Sequence, residues 1–370
     1  MKDIRIEKLA KLLVNYSLDI QKGEKLLIMT SNASFPLIKE VYKEAILKGA
    51  FPDVRIQSNE LKEILLKNGT EEQLLFMSPI DEITVDNYNA FLTIWGDDNT
   101  KPFSNIDSST ITKNMEGKKD WRSKFFNKIA TKEIKWCGTL FPTNASAQDA
   151  SMSLDEYEDF VFSAGLLHKE NPIEEWIKIS KKQETIADFM NTKKTIRFVN
   201  KNGTDLTLSV EGRKWINCDG RENFPDGEVF TTPIKDSANG VVRFTFPAIY
   251  AGKEVENVEI TFKNGKAVKA IAQKGEEHLN KILNTDENSR FLGEVAIATN
   301  YGVQNFTKNI LFDEKIGGTI HLALGAGFAE TGGNNESAIH WDMICDMRDG
   351  GKIFADDELI YENGNFVVKF

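Results

Sequence analysis

Residues 23–57, "GEKLLIMTSNASFPLIKEVYKEAILKGAFPDVRIQ", pass from an apolar run through a Ser/Asn-rich turn to a helical repeat, which stops at Gly49 before a second apolar run. Two strands separated by a helix cannot pair as a hairpin. They lie parallel in one sheet, with the connecting helix covering a face. This βαβ unit commits the first part of the chain to a layered α/β arrangement.

The same alternation continues around it. Ile4, Leu9, Leu12, Leu13 and Tyr16 recur at helical spacing and predict an opening amphipathic helix. Further strands are expected at 90–96 ("AFLTIWG") and 133–141 ("EIKWCGTLF"), with helices over 119–131 and 153–168, the latter capped by Ser153. The turn after the first strand reads "TSNASFP", with neither GxGxxG nor GxxxxGK[ST], which argues against a nucleotide cofactor.

After the polar helix "PIEEWIKISKKQETIADFMN" the pattern changes to hairpins. "TIRFVNKNGTDLTLSV", "VEITFKNGKAVKAI" and "LIYENGNFVVKF" pivot on Asn202-Gly203, Asn264-Gly265 and Asn363-Gly364, and Asn-Gly between alternating residues is a strong hairpin signal. The expected organisation is an α/β domain over 1–188 with a mostly parallel sheet. A mostly antiparallel α+β domain over 189–370 follows.

A formal charge of −10 and a pI near 5.2 exclude a nucleic-acid or anionic-membrane partner, since both need clustered Lys and Arg. No run of about 18 apolar residues occurs, which argues against a transmembrane helix. Charges interrupt the apolar positions of the N-terminal stretch, unlike a secretory leader. Cys137, Cys218 and Cys345 form no CxxC pattern, and a reducing, cytoplasmic setting is expected.

Two of the four histidines, His168 and His278, read as surface residues. The other two differ. In "SAIHWDMICDM", His340 and Asp342 share one face of an extended strand, while Ile339, Trp341 and Met343 take the other. His321 lies inside the apolar "GGTIHLALG", and Glu294 interrupts "RFLGEVAIA", a strand otherwise fit for burial on both faces. A buried carboxylate needs a partner or a metal. Glu228 lies in "NFPDGEVFTTP", where a turn leads into a β segment, and Glu314 in "LFDEKIGGTIH" is a candidate through its nearness to His321.

Glu228, Glu294, Glu314 and Asp342 bring four negative charges, and His321 and His340 bring neutral imidazoles. Two divalent cations about 3.5–4 Å apart, with one bridging carboxylate, balance the set. Oxygen and imidazole ligands without thiolate favour Zn, Co or Mn, with Cys345 packing as a small apolar residue. Glu294, deepest in apolar sequence, is the candidate catalytic carboxylate.

The motifs "GEVFTTP", "LGEVAI", "HLALG", "ETGGNNESAIHWDMICDMR" and the opening "LAKLLVNYSLDIQKGEKLLI" resemble the M29 family of metallo-aminopeptidases, of the aminopeptidase T and aminopeptidase S type. The resemblance covers nearly the whole chain. It implies a homodimer with two metal ions per chain that cleaves N-terminal residues from short peptides. It also implies ligand roles for Glu228, Glu294, His321, His340 and Asp342, with Glu314 matching a further ligand glutamate.

One departure stands out. The family's aminopeptidase T type has a tyrosine seven residues after the histidine of "HLALG", taken to hydrogen-bond the tetrahedral intermediate, whereas Phe328 stands here. Phenylalanine cannot donate a hydrogen bond. Alternative readings are therefore a metal-binding protein of this fold with weak or no peptidase activity, and a metal-dependent amidase acting on a non-peptide substrate.

Overall fold

The βαβ pattern folds as a parallel pair. In a computed structural model, which describes residues 3–370, strand Lys25–Thr30 pairs in parallel with Phe51–Ile56 on one side and Ala90–Trp95 on the other. Lys135–Leu140 follows in parallel, and the two-residue strand Asn223–Phe224 completes this sheet. Leu26, Leu27, Ile28, Phe91 and Leu92 are buried, as a central parallel strand requires. The connecting helix Phe35–Leu47 carries Pro36 in its first turn and buries Leu37, Ile38, Val41 and Ala45.

Several local features depart from the pattern. Ile4 is exposed, so the apolar face of the first helix begins at Leu9, and the helix Ile4–Leu12 runs on into a π-helical turn at Leu13–Ser17. Phe51–Ile56 is an edge strand with Phe51 and Ile56 exposed. The helices Asn59–Asn68, Glu71–Leu75, Pro79–Asn87, Ser108–Glu116 and Asn144–Asp149 were not expected from periodicity, being short or poor in apolar residues. Each begins at a side-chain cap, from Ser58, Thr70, Ser78, Asp107 and Thr143 respectively. Ser153 caps Leu154–Ala164 in a capping box with Glu156. That helix stops short of His168, because Leu166 adopts a positive φ of 58°.

The chain forms two compact units, one of Met1–Ile173 with Gly220–Phe224, the other of Glu174–Asp219 with Pro225–Phe370. Among the described residues, the second holds three antiparallel sheets, one of them only the pair Ala248–Tyr250/Lys253–Val255. Its eight-stranded sheet includes the expected hairpins Thr195–Val199/Asp205–Ser209 and Glu259–Lys263/Lys266–Ile271. Asn264 and Gly265 both have positive φ, at 49° and 79°, as do Asn363 and Gly364, which is the backbone a two-residue hairpin turn demands.

The five-stranded sheet of this unit runs, in spatial order, His340–Asp346, Thr319–Gly325, Leu292–Ala298, Glu228–Thr231 and Ile216–Cys218. Val295, Ile297, Leu322, Leu324, Trp341, Met343 and Cys345 point from one face into the core shared with Phe198, Leu206 and Ile260. Each such side chain contributes on the order of 1.5–3 kcal/mol on burial. The opposite face carries the acids and histidines. Among the described residues, no helix is long and apolar enough to cross a membrane.

Candidate metal centre

Directly opposed residues of an antiparallel pair project from the same face of the sheet. Glu294 opposes Ala323, which in turn opposes Asp342; His321 opposes Ala296, His340 opposes Gly325, and Glu228 opposes Ala298. One face of four strands therefore presents Glu228, Glu294, His321, His340 and Asp342, separated by Ala296, Ala298, Ala323 and Gly325. The small residues leave room for the acids and imidazoles to converge.

A bulge turns Glu294 to this face. Leu292 opposes Leu324 on the core side, the register shifts at Gly293, and Glu294 then opposes Ala323 on the other side. A side chain at Gly293 is excluded, since its Cβ would lie 1.9 Å from the Ala326 carbonyl oxygen.

The six candidate residues come together. His321 Nε2 is 3.1 Å from Glu228 Oε2 and 3.4 Å from Glu294 Oε1, and His340 Nε2 is 3.1 Å from Glu294 Oε2 and 3.5 Å from Asp342 Oδ2. Potential ligand atoms lie within 4.8 Å of one another in the triads Glu228/Glu294/His321, Glu294/His340/Asp342 and Glu314/His321/Asp342. Glu294 belongs to two triads and offers one oxygen to each histidine. Glu314 follows the short helix Ile310–Asp313 and enters the centre from a loop.

Both imidazoles are oriented by backbone. His321 Nδ1 lies 3.0 Å from the Glu314 carbonyl oxygen, and His340 Nδ1 lies 2.8 Å from that of Ala326. A carbonyl only accepts, so each Nδ1 carries the hydrogen and each Nε2 faces the carboxylates. Glu228, Glu294 and His321 are 5%, 4% and 1% exposed. Burial works against a charge on His340, but Asp342 and Glu294 outweigh it and push its pKa up to about 12. Asp342 is held low, where burial is outweighed by His340. Burial likewise opposes ionisation of Glu228, but Lys315 and His321 hold its carboxyl well below the usual range.

Three neighbours escaped the sequence reading. Lys315, 2% exposed, places its ammonium 2.6 Å from Glu228 Oε1, 2.8 Å from Glu314 Oε1 and 3.3 Å from Asp226 Oδ1. Burial opposes its charge, but the three carboxylates hold its pKa well above the ordinary value. Burial pushes Asp226 up to about 7 and Glu314 up to about 8, against the pull of Lys315. Cys218 groups with Asp226 and Glu228, and burial keeps its thiol protonated. "PDGE" held one signal, an acid two positions before Glu228; "FDEK" held none, since it reads as a solvated turn.

The remaining histidines lie elsewhere. His168 is exposed, whereas His278 is half-buried, its Nε2 3.1 Å from the Tyr250 carbonyl and its ring 6.1 Å from that of Trp341. The surface reading of His278 is thus corrected: its helix packs inward. Phe328 meets the ring of His340 edge-on at 5.1 Å and that of Phe230 at 5.2 Å, so it borders the centre.

This donor set fits divalent metal. Glu228 Oε2 and Asp342 Oδ1 are buried carboxylate oxygens with no hydrogen bond from any described residue. Oxygen and imidazole donors, with the neutral thiol to one side, are the kind that hold a divalent metal.

Comparison with known proteins points to a metallopeptidase. The model of the thermophilic metalloprotease (M29) family matches residues 2–366. Aminopeptidase AmpS of Bacillus subtilis is 28% identical, with 98% of each chain covered. The solved structure of AmpT from Thermus thermophilus superposes with a TM-score of 0.88 at 24% identity, covering 99% of each chain. A 2,5-dihydroxypyridine dioxygenase from Pseudomonas putida shares the fold at a TM-score of 0.60 and 10% identity, covering 98% of this chain and 97% of its own. A fold that also serves a dioxygenase does not define the reaction. The family match over nearly the whole length does: the chain belongs to the thermophilic metalloprotease family M29.

Proposed function

We propose that this metallo-aminopeptidase removes N-terminal residues from short peptides at a dinuclear metal centre built on residues 189–370. The observation that carries the reading is Glu294, whose two oxygens address different histidines, so that one carboxylate would serve both ligand groups. Glu228, Glu294 and His321 would hold one ion, Glu294, His340 and Asp342 the other, with Glu314 beside both. When bound, the ions supply Lewis acidity toward a carbonyl and bring the pKa of water to about 7.

The side chains do the rest. Glu294 takes the proton from the attacking water and delivers it to the departing amine, the work of a positioned general base and acid. The carboxylates attract the peptide's free α-ammonium, so an N-blocked substrate lacks the charge that docks it. The backbone carbonyls of Glu314 and Ala326 keep both imidazoles in the tautomer that leaves Nε2 for the centre. Phe328 gives the rim beside His340 an apolar wall. We further propose a homodimer in a reducing compartment, in keeping with Cys137, Cys218 and Cys345 standing outside any disulfide.

The test uses protein stripped of metal and reconstituted with Zn, Co or Mn, assayed on aminoacyl-p-nitroanilides and on N-blocked counterparts. Metal-dependent release from free-amine substrates alone is expected; equal release from both classes overturns the exopeptidase reading. A second reading, metal binding with little turnover, is favoured by Phe328, which offers no hydrogen-bond donor at the rim. Stoichiometric metal without release supports that reading instead.

A further inference from the structure

Lys315 is surrounded by three carboxylates, and two of these, Glu228 and Glu314, are proposed metal ligands. An ammonium has three N–H donors and no acceptor. Here one oxygen each from Asp226, Glu228 and Glu314 meets them, at 3.3, 2.6 and 2.8 Å. Glu228 is thereby divided: Oε1 belongs to Lys315, while Oε2 faces His321 Nε2 at 3.1 Å with no hydrogen bond of its own.

The three acids come from two places, Asp226 and Glu228 from a strand and the residues just before it, and Glu314 from the end of a short helix. An ammonium among them offsets the repulsion that would otherwise keep buried carboxylates apart. Asp226 also anchors the arrangement through backbone: its carbonyl accepts a hydrogen bond from Asn300 Nδ2 at 2.7 Å, and its Oδ1 accepts the Gly227 N–H at 2.9 Å.

We propose that Lys315 is a resident counter-cation of the metal centre: its ammonium holds Glu228 and Glu314 in ligand position without metal, and competes with the metal for the same carboxylates. The proposal rests on the metal-centre reading above. Two opposed effects follow from one charge. Removing the ammonium leaves buried acids repelling one another in the metal-free protein, so that state loses stability. The same removal takes a positive charge from beside the incoming ion, so metal binds more tightly. Asp226, which draws the ammonium away from Glu228 and Glu314, works the other way.

The test compares wild type, Lys315→Met and Asp226→Asn. The dissociation constant for Zn is measured by competition with a chelator, and the melting temperature is read with and without Zn. Lys315→Met is expected to bind Zn about tenfold more tightly or better, with a lower metal-free melting temperature and a larger rise on adding metal. Asp226→Asn is expected to bind Zn about tenfold more weakly. A purely structural lysine would give weaker binding in Lys315→Met; that result, or an unchanged constant, overturns the proposal. If Lys315→Met does not fold, Asp226→Asn decides, and unchanged or tighter binding there overturns it. Absence of Zn binding by wild type sinks the metal-centre reading itself, and so stands apart from failure of the role of Lys315.

Discussion

Glu294 stands between the two histidines of the centre, one carboxylate oxygen 3.4 Å from His321 Nε2 and the other 3.1 Å from His340 Nε2. Glu294→Gln keeps the volume but replaces one of those oxygens with an NH2 group, which cannot accept a proton or ligate in its place. Turnover is expected to fall by about 10²–10⁴-fold, with bound metal reduced and the metal-free fold retained. Kinetics, metal analysis and circular dichroism on one preparation check it; full activity in this variant would sink Glu294 as the proton carrier.

His340→Ala removes one proposed ligand nitrogen and the Nδ1 donor to the Ala326 carbonyl. His340 also balances the charge of Glu294 and Asp342, so the metal-free variant is expected to melt lower than wild type. Bound metal should drop below that of wild type, measured by elemental analysis after dialysis. Unchanged metal content would remove His340 from the centre.

Phe328 sits edge-on to His340 and contributes no donor. Phe328→Tyr adds one hydroxyl at that rim. If the rim lacks a donor for the tetrahedral intermediate, the turnover number should rise, by up to about 10²–10³-fold, with metal content unchanged. An unaltered turnover number would show that the reaction at this centre does not use a hydroxyl there.

Period-two alternation made most of this centre legible. In "HWDM" and "HLALG" polar or small residues alternate with large apolar ones, and the structure sends the two sets to opposite faces. The Asn-Gly hairpins were legible because only residues tolerant of positive φ fit those turns. Gly293 was not, since a bulge exists only relative to the strand it opposes. Lys315 was hidden for a similar reason: its burial depends on Asp226 and Glu228, far off in sequence, while its own neighbours read as a solvated turn. Capped short helices such as Glu71–Leu75 announce themselves by a threonine and a glutamine rather than by an apolar stripe.

Asp286 ties down the segment that leads into His340. Its carboxylate accepts hydrogen bonds from the Ala338 N–H at 2.8 Å and the Ser337 hydroxyl at 2.9 Å. Burial would raise its pKa, but these bonds outweigh it and hold the group near about 2. A depressed carboxyl stabilises the fold above its unfolded value of about 3.9, and that contribution is lost as pH falls toward 2. Asp286→Asn should therefore melt lower than wild type above pH ~4, with the gap closing toward pH ~2. A gap that persists unchanged at the acid end would assign the effect to packing.

Because Ala296, Ala298, Ala323 and Gly325 carry none of the chemistry and Val295, Ile297, Leu322 and Leu324 carry none of the ligands, this sheet keeps two independent inventories on alternate residues of the same strands. A substitution on the ligand row leaves the hydrophobic seam beneath it unbroken. The apolar packing of this sheet is thus separate from the row of acids and histidines, whose own cost to the fold lies in charge balance rather than in packing.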